Sequence, residues 1–322
     1  MAPLKLLVLS DPAADQLRLL DPLRKTVDIL AGNQPEFAKK HAASADVIFT
    51  GSSEGDLLRL IFPLARNVRW VHSMSAGVEK ILFPELVQSP VPLTNGKGAF
   101  SGALAEFAIA SILFFAKDLR QLTANQQAGR WKQFDIELIR GQVLGIVGYG
   151  DIGRESARLA RAFGMKVAAV RRRASLSHQD PDLERTYSPG GLREMLGICD
   201  YVLVTTPLTA ETRGMIGEAE LSAMKPSAVI LNLGRGPVIV ESDLIAALTA
   251  KRIRGAVLDV FDEEPLPPGH PFYALENVLL SPHSADHTEG WAGLAMHVFL
   301  DNFERFRNGQ PLQNLVDKKA GY

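Results

Sequence analysis

Val143-Leu144-Gly145-Ile146-Val147-Gly148-Tyr149-Gly150-Asp151-Ile152-Gly153 is an apolar run that ends in a G-x-G-x-x-G turn and leads into helix-forming residues 155–163. In a strand–turn–helix of this kind Gly148 permits the tight turn, Gly150 lets the backbone approach a pyrophosphate, and Gly153 lets the helix pack closely on the strand. Tyr149, Asp151 and Ile152 complete the loop. The helix N-terminus adds N–H donors and a partial positive charge, both suited to phosphate. Glycines at this spacing also occur in plain turns, so the surrounding elements have to decide. They favour a dinucleotide site.

Outward from that turn, short apolar runs at 143–147, 167–170, 201–205, 229–232, 256–260 and 278–281 alternate with helix-sized spacers such as 152–163 and 243–250. Continuous apolar runs read as strands buried on both faces, and their alternation with helices reads as a parallel α/β sheet. Six strands around a glycine turn suit a Rossmann-like dinucleotide-binding sheet. A second series precedes it, with strands expected at 4–9, 27–30, 47–50, 68–72 and 91–94. Residues 103–127 read as one long helix and 292–307 as another, the expected crossings between two domains. A chain of 322 residues exceeds what one hydrophobic core usually serves, which agrees with two domains.

Bulk properties exclude several functions. Hydrophobic residues at 46% and charged residues at 22% are ordinary for a soluble globular protein, and a net charge of −1 gives no footprint for nucleic acid. The apolar stretch 103–119 carries Glu106, Lys117 and Asp118, so it reads as a core helix, and no membrane role is expected. One cysteine, Cys199, forms no internal disulfide, and the chain opens without a secretory leader, so the cytoplasm is expected. Cys199 starts an apolar strand and reads as a small buried hydrophobe. No His or Cys spacing suits zinc, and no metal is expected.

An NAD site would place an acidic residue about 20 residues after the glycine turn, on the ribose 2′-OH. Here the next strand ends instead in Arg171-Arg172-Arg173, with Arg171 18 residues past Gly153. A guanidinium pairs with a 2′-phosphate that a carboxylate would repel. Arg171 and Arg172 are therefore candidate phosphate ligands, NADP(H) is the expected coenzyme and NAD(H) the alternative. Solvation of a strand end is the plainer explanation of the arginines.

Four further motifs resemble the D-isomer-specific 2-hydroxyacid dehydrogenase family along almost the whole chain. They are Ser75-Ala76-Gly77-Val78; Thr94-Asn95-Gly96-Lys97-Gly98 followed by Ala105-Glu106; Thr206-Pro207-Leu208-Thr209-Ala210-Glu211-Thr212; and a set at three strand ends. That set is Leu231-Asn232-Leu233-Gly234-Arg235-Gly236, Leu258-Asp259-Val260-Phe261-Asp262-Glu263-Glu264-Pro265 and Ser281-Pro282-His283. The resemblance implies a flavodoxin-like substrate-binding domain, 1–97 with 288–322, a dinucleotide-binding Rossmann domain, 98–287, and an active site in the cleft between them. It implies hydride transfer between NAD(P)H and C2 of a small 2-oxo or 2-hydroxy acid. His283 would be the acid/base, Glu264 would hold and charge its imidazole, and Arg235 would bind the substrate carboxylate and polarise the C2 carbonyl. Ser75, Ala76 and Gly77 would hold the carboxylate through backbone amides. Thr206, Pro207, Thr212, Leu233, Gly234, Arg235, Asp259, His283 and Ala285 would line the coenzyme, with Asp259 receiving the carboxamide.

The chemistry is consistent with such a set: hydride arriving at C2 puts charge on its oxygen, and a histidine titrating near neutrality can deliver the proton. His72 and His287 lie close enough in sequence to the motifs to compete for the role. Gly234, where the family commonly has alanine, and Ser284-Ala285-Asp286-His287 depart from the usual pattern and leave the substrate open. With 39 residues after His283, a C-terminal regulatory domain is not expected. A compact glyoxylate/hydroxypyruvate-type reductase, acting as a homodimer, is the expected function. Lactate-, phosphoglycerate-, phosphite- and formate-type dehydrogenases and a dinucleotide-sensing corepressor are the alternatives.

Overall fold

The computed structural model describes residues 3–173 and 180–322. By its contacts the chain divides into two units, Met1–Phe100 with Glu289–Tyr322, and Ser101–Thr288. The first unit holds five parallel strands, β1 (Leu4–Leu9), β2 (Val27–Ala31), β3 (Val47–Thr50), β4 (Trp70–Ser73) and β5 (Leu93–Asn95), in the order β2-β1-β3-β4-β5. That is the flavodoxin-like order. Helices α1 (Pro35–Ala42), α2 (Gly55–Ile61) and α3 (Pro84–Gln88) connect them. Helix Trp291–Arg307 returns to this unit, where Phe299 stacks on Trp70 with centroids 5.4 Å apart and meets Phe49 edge-on. All five strands lie close to the expected runs. β4 and β5 start two residues later than the apolar pattern does, because Val68 and Val91 pack as partly buried flanks of the core.

The second unit has seven parallel strands: β6 (Val143–Val147), β7 (Lys166–Val170), β8 (Arg185–Tyr187), β9 (Tyr201–Val204), β10 (Val229–Asn232), β11 (Gly255–Leu258) and β12 (Val278–Leu280). Their order, β8-β7-β6-β9-β10-β11-β12, reverses direction between β6 and β9, the switch point where dinucleotides bind in such sheets. The six expected strands are all present. The seventh, β8, is a three-residue edge strand paired with β7, too short for periodicity to reveal. Helices α4 (Ser101–Ala116), α5 (Leu119–Gln127), α6 (Asp151–Ala162), α7 (Leu192–Ile198), α8 (Glu218–Ala223) and α9 (Glu241–Thr249) complete the unit, α4 packing against α6.

One expectation is corrected: 103–127 is not a single helix. Asp118 sits at φ 45° and its carboxylate accepts the Gln121 N–H at 3.2 Å, so it caps a new helix, α5, after α4 has ended. An N-capping Asp inside an apolar stretch interrupts the helix without changing the periodicity around it. No helix among the described residues is long and apolar enough to cross a membrane.

Candidate active site

The glycine turn joins β6 to α6, and its glycines are required for different reasons. Gly148 has φ 98°, and a Cβ there would lie 2.7 Å from the Thr206 amide nitrogen. On Gly153 a Cβ would lie 2.9 Å from the Gly148 carbonyl and 3.1 Å from Ile146. These two residues let β6, α6 and the loop after β9 close on one another. Gly150 differs, because its backbone is extended (φ −98°, ψ −150°) and an added Cβ meets no atom within 4 Å. The fold itself does not require a glycine there, and close approach of a phosphate is what a glycine at this point permits.

Across the switch point, the Thr205 hydroxyl donates to the Gly148 carbonyl at 2.7 Å. The neighbouring Thr206 hydroxyl is buried without a hydrogen-bond partner, an orphan beside the turn that a bound dinucleotide would satisfy. Thr212 closes this loop, its hydroxyl donating to the Pro207 carbonyl at 2.6 Å and accepting the Thr209 N–H at 2.8 Å. Gly234, the departure from alanine, has a local cause: a Cβ would lie 2.8 Å from the Thr206 carbonyl. The residues present fit a dinucleotide.

At the end of β7 the Arg171 guanidinium lies over the Tyr149 ring, 6.0 Å from its centroid. Burial, then the charges of Arg154 and Arg173, push its pKa down, against Tyr149 and Asp180, which push it up. Arg172 is 3.6 Å from Glu211 in an exposed ion pair.

Arg235, Asp259, Glu264 and His283 lie beyond the C-terminal ends of β10, β11 and β12. Asn232 shapes the first segment by donating to the Arg235 carbonyl at 3.0 Å and accepting the Gly234 N–H at 3.2 Å. Next to it, a Cβ on Gly236 would lie 2.0 Å from the Phe261 carbonyl carbon, so the Arg235 and Glu264 segments touch backbone to backbone. The Phe261 N–H donates to Glu264 Oε1 at 3.0 Å, and Glu264 Oε2 lies 2.7 Å from His283 Nδ1. The carboxylate is thereby aimed at the imidazole.

His283 itself is held at φ 53°, a conformation non-glycine residues adopt infrequently. Asp259, buried beside it, accepts from the Ser281 hydroxyl (2.6 Å) and from the Ser284 and Ala285 amides (2.9 and 3.1 Å) through one oxygen. These bonds pin the chain on both sides of His283. The hydrogen bond it donates to Glu264 raises the His283 pKa above its ordinary value, against burial, with the charges of Glu264 and Asp259 adding and that of Arg235 opposing. Burial pushes the Glu264 carboxyl up, but its bonds to His283 and the Phe261 amide, with the His283 and Arg235 charges, outweigh this and hold it below the usual range.

Within the first unit, residues 75–77 follow β4. Ser75 and Gly77 are half-buried and Ala76 is exposed. The Asn95 side chain donates to the Ala76 carbonyl at 2.6 Å, and the Gly96 N–H to the Ser75 carbonyl at 3.1 Å. His72 is not at the loop surface: it is fully buried in β4 between Phe49, Trp70 and Phe299, with Nδ1 2.7 Å from the Thr94 hydroxyl. Burial pushes its pKa down to about 3, which leaves it neutral and structural. His287 is exposed, 3.7 Å from Asp286. Cys199 is buried, donates to the Met195 carbonyl at 3.0 Å, and its thiol is pushed up to about 12 by burial. Among the described residues no group of three His, Cys, Asp or Glu side chains is arranged to hold a metal ion.

Sequence reasoning missed three contributors here. Ser281, Asn232 and the Phe261 amide act through short-range bonds to residues whose types alone were informative. Their signal in the sequence is only position, two or three residues before Arg235, His283 and Glu264 at the strand ends.

Residues 109–285 match the model of the D-isomer specific 2-hydroxyacid dehydrogenase, NAD binding domain. The chain is 33% identical over 269 residues to a glyoxylate reductase of Thermococcus gammatolerans, covering 81% of this chain and 79% of that one. It is 29% identical over 283 residues to a hydroxypyruvate reductase of Blautia hydrogenotrophica, covering 85% of each. Among solved structures, an NADPH-dependent glyoxylate/hydroxypyruvate reductase of Sinorhizobium meliloti in complex with NADP and sulfate superposes with a TM-score of 0.84 at 27% identity, covering 99% of this chain and 100% of that one. A matched nucleotide domain spanning more than half the chain, and relatives of this identity, show that the chain belongs to the D-isomer specific 2-hydroxyacid dehydrogenase family.

Proposed function

We propose that the chain is an NADP(H)-preferring glyoxylate/hydroxypyruvate-type reductase, with the 2.7 Å His283–Glu264 pair as its proton-delivering device. When bound, the coenzyme supplies a hydride to C2 of the 2-oxo acid. His283 in its charged form, which the bond to Glu264 favours, gives a proton to the C2 oxygen as charge develops there. Glu264 orients the imidazole and favours its charged form. Arg235 offers a planar fork to the substrate carboxylate and draws electron density from the carbonyl. Ser75, Ala76 and Gly77 add backbone donors for the same carboxylate.

Gly148 to Gly153 take the pyrophosphate at the start of α6, with Tyr149, Asp151 and Ile152 as the walls of the turn. Arg171 and Arg172 take the 2′-phosphate. Thr206, Pro207 and Thr212 form the wall across the switch point, and Leu233, Gly234 and Ala285 line the nicotinamide side. Asp259 takes the carboxamide through the oxygen not used on the Ser284 and Ala285 amides. The NADP preference is supported by the Arg171 guanidinium lying over Tyr149 of the glycine turn and by the use of NADPH by the Sinorhizobium relative. Uncovered apolar side chains at Leu119, Leu122, Trp131, Ile136 and Leu138 support a homodimer, which light scattering would detect. The protein is expected to work in the cytoplasm. The testing experiment is oxidation of NADPH and NADH with a panel of 2-oxo acids: glyoxylate and hydroxypyruvate should give the highest kcat/KM, and a preference for pyruvate or 3-phosphohydroxypyruvate would refute the substrate.

A further inference from the structure

The loop at residues 75–77 does not hold its own shape. A trans peptide points each N–H away from the carbonyl of the residue before it. With the Ser75 and Ala76 carbonyls bound by Gly96 N–H and the Asn95 side chain, the Ala76 and Gly77 amides are turned to the opposite side together. The turn 95–97 therefore aims the loop. It is fixed from outside by the C-terminal segment: Leu315 bridges Thr94 in antiparallel fashion, the Val316 N–H donates to the Leu93 carbonyl at 2.9 Å, and the Asn314 side chain donates to the Lys97 carbonyl at 2.8 Å and the Asn95 carbonyl at 3.4 Å.

Both ends of this segment are anchored. Buried Asn302, on the helix Trp291–Arg307, reads the Gln313 backbone in both directions, donating to its carbonyl at 3.1 Å and accepting its N–H at 2.8 Å. Three residues past Leu315, the Lys318 ammonium donates to the carbonyls of Leu86, Ser89 and Val91 at 2.9, 2.6 and 2.9 Å, closing the segment over the end of α3. Asn314 sits between these anchors at φ 55°, so its side chain is directed by a backbone turn that few residue types accept.

We propose that residues 313–318 are a strap that sets the aim of the 75–77 amides, with Asn314 as the positioning residue. The inference rests on the reading that this loop binds the substrate carboxylate. Without Asn314 the turn 95–97 loses its outer support, the two amides lose their common direction, and substrate binding weakens while proton delivery by His283 is untouched.

The test is Asn314→Gly, which keeps the left-handed backbone and removes only the side-chain donors. The expected result is a KM for glyoxylate raised about five- to tenfold, as the loss of one hydrogen bond of ordinary strength to the carboxylate would give, with kcat and the KM for NADPH within about twofold. Amide exchange of the segment around residues 74–78 should quicken, a readout independent of turnover. Lys318→Met, which releases the far anchor, should move both readouts in the same direction. Ala76→Pro, which deletes one of the aimed donors, separates the two layers of the argument. If Ala76→Pro raises the glyoxylate KM and Asn314→Gly changes neither KM nor exchange, the strap is refuted and the loop's role stands. If Ala76→Pro leaves the KM unchanged, the loop does not bind the carboxylate and the strap falls with it.

Discussion

Gly150→Ala separates a glycine kept for a ligand from a glycine kept for the fold. The backbone at Gly150 (φ −98°, ψ −150°) is extended and open to alanine, and a Cβ there touches nothing within 4 Å. A Gly→Ala change at a compatible position stabilises by about 0.4–1 kcal/mol through the unfolded chain. For a unit of this size each kcal/mol is worth about 2–4 °C, so Tm should hold or rise by about 1–4 °C. The coenzyme should bind far worse, because the methyl stands where the pyrophosphate approaches and displaces it from one or two charge-assisted bonds of about 1.5–3 kcal/mol each. That is a loss of about ten- to a hundredfold or more in Kd. Gly148→Ala is the contrast: at φ 98°, with a Cβ 2.7 Å from the Thr206 nitrogen, it should cost about 2–5 kcal/mol in strain and overpacking. Scanning calorimetry and titration of NADPH by fluorescence measure both quantities on each variant. A Gly150→Ala protein that binds NADPH as tightly as wild type, or that melts several degrees lower, would refute the division of roles.

Two further outcomes follow from the site. Reduction needs protonated His283, so its kcat/KM is full at low pH and is lost as pH rises through the raised His283 pKa. Glu264→Gln removes the largest raising contribution and should move that descending limb to lower pH; a limb that stays in place would show that Glu264 does not charge the imidazole. Arg171→Asp should reverse coenzyme preference, a guanidinium–phosphate bond of about 1.5–3 kcal/mol being worth about ten- to a hundredfold in kcat/KM for NADPH over NADH. Comparison at fixed salt checks this, and a wild-type protein that prefers NADH would return the arginines to a solvated strand end.

Strands of parallel sheets were legible because they are buried on both faces and so written as continuous apolar runs, β6 and β9 being the clearest. β8 was not, since Arg185-Thr186-Tyr187 is a three-residue edge strand that brings one ring, Tyr187, to the core and has no apolar run to read. The break at Asp118 was hidden for another reason: a capping bond is a local backbone event, while periodicity averages over several turns. At the site, Arg235, Glu264 and His283 were singled out by motifs that resemble the family, and the apolar runs placed them at strand ends. What aims them did not. The Asp259 bonds to the Ser284 and Ala285 amides and the contact of Gly236 with Phe261 involve backbone groups that every residue carries. His72 was ambiguous because a histidine next to a motif reads the same whether its ring faces a loop or the core; burial between Phe49, Trp70 and Phe299 decides it.

His283→Asn tests the central claim most directly, because asparagine tolerates the left-handed backbone at φ 53° but cannot give up a proton near neutral pH. With saturating NADPH and glyoxylate, kcat for reduction should fall by about 10² or more while NADPH still binds, since the lost interaction acts in the transition state. A variant that binds NADPH and turns over glyoxylate near the wild-type rate would remove His283 as the proton donor and contradict the account.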